Sequence, residues 1–115
     1  MGRISKPSGV VVPMVTPFTA AGSLDEHAAR NMVDFLLEGG VEGIFVLGTT
    51  GEAASVPRTA RARLVELTVN QVNGQAQVYA GLNDNCLADA VEAGNSYLQA
   101  GVDAVVALLD RKSVV

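Results

Sequence analysis

Two threonines set between two glycines and closed by an acid, Gly48-Thr49-Thr50-Gly51-Glu52, are the residues best suited to chemistry in this 115-residue sequence. Glycines accept unusual backbone angles and let a ligand approach closely, so the amides and hydroxyls of Thr49 and Thr50 can converge as donors. Such a nest suits a carboxylate or a phosphate. It lacks the lysine and spacing of a Walker loop, and it is no G-x-G-x-x-G dinucleotide fingerprint. The same residues also read as a glycine turn whose threonines cap the next helix, and residue types alone leave both readings open.

Other chemistry-bearing residues carry weaker signals. Asn83-Asp84-Asn85 could bind a polar ligand, and serve equally as turn and cap residues. His27 follows Asp25 and Glu26 at a helix start and reads as a solvated surface histidine. Cys86 has no second histidine to activate it and reads as a small buried hydrophobe. As the single cysteine, it excludes an internal disulfide and any zinc spacing. Arg58, Arg61 and Arg63 read as the solvated side of a helix.

These residues need elements to position them, and the apolar pattern supplies seven. Val10 to Val15 forms a short buried strand ending at Thr16-Pro17-Phe18. Ser23-Leu24-Asp25-Glu26 fits a capping box, and Ala29, Met32, Val33, Leu36 and Leu37 follow as one helical stripe closed by Gly39-Gly40. Val41 to Leu47 has no polar alternation, as expected of a strand covered by helices on both faces.

Ser55 and Pro57 open a second helix, with Ala60, Leu64, Leu67, Gln71 and Val72 on one face and Asn73-Gly74 at its end. A third strand runs from Ala76 to Ala80, and Leu87 to Gln99 reads as a third helix with Ala88, Val91 and Leu98 inward and Ala90 or Gly94 as small packing positions. Gly101 closes it before a fourth strand, Asp103 to Leu109.

The order β-α-β-α-β-α-β predicts an α/β fold with a parallel sheet and right-handed crossovers. Periodicity fits an open doubly wound sheet and a (β/α)8 barrel alike; both place chemistry at the C-terminal ends of strands. Those ends are Thr16-Pro17-Phe18, the GTTGE segment, Gly81-Leu82-Asn83-Asp84-Asn85, and whatever follows Leu109.

The net charge of −4 and pI near 4.7 argue against nucleic acid or an anionic membrane as partner. The N-terminal apolar run GVVVPMV is too short for a secretory or spanning segment, so the cytoplasm is the expected location.

Read together, GVVVPMVTPF, Gly22-x-Leu24-Asp25, VEGIFVLGTTGE and VYAGLNDN resemble the dihydrodipicolinate synthase and N-acetylneuraminate lyase family of pyruvate-dependent class I aldolases, over about residues 8 to 109. The paired threonines look more like the synthases than the neuraminate lyases. The resemblance implies the N-terminal half of a (β/α)8 TIM barrel. It implies that Thr50 binds the pyruvate carboxylate through hydroxyl and backbone N–H, that Thr49 joins a proton relay with two tyrosines, and that Gly48 and Gly51 shape the loop. The implied chemistry is a lysine Schiff base with pyruvate whose enamine attacks aspartate semialdehyde, with no metal or organic cofactor. It also implies a full-length homo-oligomer. Neuraminate lyase and 2-keto-3-deoxy sugar-acid aldolases are alternatives within the family, and a non-catalytic anion-binding α/β module is an alternative outside it.

The family's lysine and proton-shuttling tyrosine fall on later strands, and neither Lys6 nor Lys112 can replace them. A whole barrel needs roughly 250 residues, so the expectation is an inactive fragment: residues 1–109 as half of a lyase domain and residues 110–115 as a tail foreign to the family. That tail, Asp110 to Val115, stands where the family continues with Pro-Tyr-Tyr, and it reads as a sequencing-library adapter translated in frame. Re-sequencing across codon 110 tests that expectation.

Overall fold

β-Branched and small apolar runs form four strands in the computed structural model, which describes residues 10–49, 55–82 and 87–107. The strands are β1 (Val11–Met14), β2 (Gly43–Val46), β3 (Gln77–Leu82) and β4 (Ala104–Ala107), and between them lie α1 (Glu26–Glu38), α2 (Arg58–Val72) and α3 (Leu87–Ala100). All pairings are parallel and the sheet order follows the sequence, β1-β2-β3-β4. This is the order that consecutive β-α-β crossovers give when each strand is added to the same edge.

Among the described residues one face of the sheet takes the helices, not both faces as the unbroken apolar run of β2 suggests. Met14, Ile44, Val46, Val78 and Ala80 are buried there with Ala29 and Val33 of α1 and with Leu64, Val65, Leu67 and Val72 of α2. The opposite face carries Val11, Gly43, Phe45 and Tyr79. Gly43 is bare because a Cβ there would lie 2.9 Å from the Tyr79 ring and 3.1 Å from Val11 Cγ2. Tyr79 donates its hydroxyl to Gln77 Oε1 on the same strand.

The start of α1 departs from the capping box. Asp25, in extended conformation, is the N-cap, and its Oδ1 accepts the Ala28 amide at 3.0 Å. Ser23 is held elsewhere: its amide donates to Thr19 Oγ1 and its carbonyl accepts from Thr19 N, beside an antiparallel bridge between Phe18 and Leu24. Glu26, freed from capping, reaches another helix. At the end of α1 only Gly40 is left-handed, at φ 80°; Gly39 keeps helical angles.

Helix α3 also corrects the sequence pattern. Its buried residues are Gly94 and Tyr97, whereas Leu87, Val91 and Leu98 are exposed. The helix lies close to the sheet, and a Cβ on Gly94 would meet Leu82 Cδ1 at 3.3 Å. The inner face is thus built from Gly94 and Tyr97, while the aliphatic Leu87, Val91 and Leu98 lie outside.

The arginines of α2 bind more than solvent. Arg63 forks onto Glu26 of α1, at 3.0 Å from Nε to Oε2 and 2.9 Å from Nη2 to Oε1, and its Nη1 reaches Glu66 at 2.7 Å. Arg58 pairs with Asp89 of α3 at 3.4 Å, and Gln71 donates to Asp34 of α1 at 2.7 Å.

Candidate functional site

Parallel register aligns the strand ends that the sequence singles out. Met14 pairs with Val46, Val46 with Ala80, and Ala80 with Val105, so these four residues form one row across the sheet. Two residues beyond that row lie Thr16 after β1, Gly48 after β2 and Leu82 at the end of β3. The parallel sheet therefore brings these segments to one edge, the edge where strands of such folds carry their ligands.

The turn out of β2 is sharply defined. Leu47 is fully buried and has φ 58°, a left-handed conformation that costs an L-residue with a bulky side chain about 1–2 kcal/mol. Gly48 then sits on the Phe45 ring, where a Cβ would be 3.1 Å from Cδ2. Thr49 follows, exposed at the strand-end edge. Thr50, Gly51 and Glu52 lie outside the described residues, as do Asn83, Asp84, Asn85, Cys86, Lys6 and Lys112. Thr16 is buried beside this edge, at 8% exposure.

His27 is exposed on α1, with Nε2 3.2 Å from Asn31 Nδ2, in agreement with its surface reading. The strongest electrostatic feature belongs to the helix layer. The hydrogen bond from Arg63 holds the Glu26 carboxyl below the usual carboxylate range, and Glu26 and Glu66 together hold the Arg63 guanidinium above its ordinary value. This network borders an open recess of about 410 Å³ that also takes in Phe18, Leu24 and Pro57.

A second recess, of about 450 Å³, lies among Glu42, Gln75, Gln77 and Asp103 at the opposite ends of the strands. There the Asp103 carboxylate accepts the Val78 amide at 2.8 Å and so ties β4 to β3. Among the described residues no group of three or more His, Cys, Asp or Glu is placed to hold a metal ion, and no helix is long and apolar enough to cross a membrane.

Gly48 and Thr49 lie at the strand-end edge, as the strand pattern of the sequence implies, whereas the left-handed turn at Leu47 just before them was not foreseen. A leucine carries no mark of its backbone angle, and the residue reads as the last apolar position of a strand.

Fold and strand-end site together define the class: a parallel β/α alternation corresponding to the N-terminal part of a TIM-barrel enzyme. The sequence model of the dihydrodipicolinate synthetase family matches residues 6–109, and the chain belongs to that family. It is 37% identical over 103 residues to the 4-hydroxy-tetrahydrodipicolinate synthase of Methanothermobacter thermautotrophicus, covering 90% of this chain and 36% of that protein. With the synthase of Pelobacter propionicus it shares 39% identity over 98 residues, covering 85% of this chain and 33% of the relative. A prophage protein of the dihydrodipicolinic acid synthase family from E. coli K12, solved in complex with pyruvate, superposes with a TM-score of 0.81 at 28% identity, over 90% of this chain and 35% of that one. The chain thus spans about a third of the length of the relatives it matches.

Proposed function

We propose that residues 1–109 carry the N-terminal portion of a 4-hydroxy-tetrahydrodipicolinate synthase-like lyase, and that residues 110–115 stand apart from it. In the complete enzyme a lysine amine on a later strand condenses with the pyruvate ketone, forming an imine and releasing water. Loss of a methyl proton gives an enamine, and its carbon attacks the aldehyde of aspartate semialdehyde. Thr50 holds the pyruvate carboxylate through its hydroxyl and amide, Gly48 and Gly51 let the loop close on it, and Thr49 passes protons in a relay completed by tyrosines. Donors fixed where charge must sit are worth most when water is excluded, which is why a rigid strand end suits the task.

The observation that carries this reading is the family match running through the GTTGE segment, on a strand whose neighbours end at the same edge. The pyruvate complex of the prophage relative supports the substrate class. The chain alone, without a barrel lysine, is expected to form no Schiff base.

Borohydride reduction in the presence of pyruvate tests this directly. No covalent adduct is expected on the 115-residue chain, and an adduct would overturn the assignment of the amine to a later strand. Co-expression with the C-terminal remainder of a relative is expected to restore trapping and, in the oligomeric complete enzyme, condensation.

A further inference from the structure

Two non-glycine residues among those described have a positive φ: Asn73 at 51° and Leu47 at 58°. Asn73 is the C-cap of α2, where a left-handed residue is routine and asparagine accepts it. Leu47 caps no helix. Its conformation brings Cβ against the following carbonyl, and leucine has no polar side chain to compensate. What holds it is the complete burial of its side chain in the core cluster, at 0% exposure.

The following residue is fixed from the other side of the sheet. Gly48 rests on the Phe45 ring, and a Cβ there would meet ring carbons at 3.1 and 3.2 Å. The chain is therefore turned at one residue and seated at the next, immediately before Thr49. A residue serving only to fill the core could do so from ordinary strand geometry. Strained conformations persist where the surroundings over-determine them, and they cluster at functional sites.

The geometry points to Leu47 as the positioning residue of the threonine loop: its buried side chain holds a left-handed backbone that sets the direction in which Gly48 and Thr49 leave β2. This rests on the reading of Thr49 and Thr50 as substrate-facing, and it adds to that reading the device that aims them.

The test is nuclear magnetic resonance on the 115-residue chain and on Leu47→Gly and Leu47→Met. In the unaltered chain Leu47 should give the strong intraresidue Hα–HN cross-peak of a positive φ, and a weak one would overturn the proposal without any variant. In Leu47→Gly the amides of Gly48 and Thr49 should exchange with solvent about tenfold faster relative to those of Ile44 and Val46, and Leu47→Met should restore their protection. An equal rise along all of β2 would reduce Leu47 to core filling and overturn the proposal. Pyruvate titration forms a separate arm: a Thr50 amide that does not shift in the unaltered chain counts against the carboxylate reading, while the exchange comparison still decides Leu47.

Discussion

Gly101 is constrained twice: its φ is 112°, and a Cβ would meet Val69 Cγ1 at 3.0 Å. Gly101→Ala should therefore lower stability by about 1–3 kcal/mol in urea denaturation, through backbone strain and the forced shift of a packed valine. The cap of α1 gives a sharper contrast. Asp25→Ala should cost about 1 kcal/mol, because it removes the acceptor of the Ala28 amide, whereas Ser23→Ala should stay within about 0.5 kcal/mol. The reverse result would return the cap to Ser23. At this scale the sequence displays what depends on residue type: two threonines between glycines, or a glycine after a helix. It hides what depends on packing, and Leu47 and Asp25 are the cases in point. Burial elsewhere holds the first in a left-handed turn, and the bridge from Phe18 to Leu24 draws Ser23 away from the helix start.

Between elements, the Arg63 fork straps α2 to α1 through Glu26. The Glu26 carboxyl is held low by that hydrogen bond, so its contribution is fully present above the usual carboxylate pKa and disappears as pH falls through the lowered value. The melting difference between the unaltered chain and Glu26→Gln should accordingly shrink toward zero in acid, and it should shrink with added salt because both groups are half-exposed. A difference independent of pH would mean that the glutamate acts through packing alone. Partners 37 positions apart in sequence leave no local signal, which is why the arginines read as a plain solvated face. Helix α3 was hard to read for the opposite reason: Val91 and Leu98 supply a loud apolar signal on the exposed side, while the true inner face is marked by a glycine and a tyrosine, Gly94 and Tyr97.

For the molecule as a whole, the four strands were legible because their runs are short, apolar and rich in β-branched residues, and their order follows from the handedness of the crossovers. The flanks are another matter. Phe35 is 75% exposed beside the end of β1, sharing an open recess with Pro13, Met14 and Val15, and Leu87 is 79% exposed at the start of α3. Exposed apolar side chains of that size, together with the open edges of β1 and β4, favour association, so the isolated chain should run as multimers in light scattering. The double variant Phe35→Ser with Leu87→Ser should shift it toward monomer, and a monodisperse unaltered monomer would count against this account of the flanks. The sheet order has one more consequence. Each strand pairs with the strand made just before it, so a chain leaving the ribosome N-terminus first always finds its docking edge already synthesised. Every unit can close a short loop and settle while the next is still being translated, without holding an unmatched strand in reserve for a distant partner.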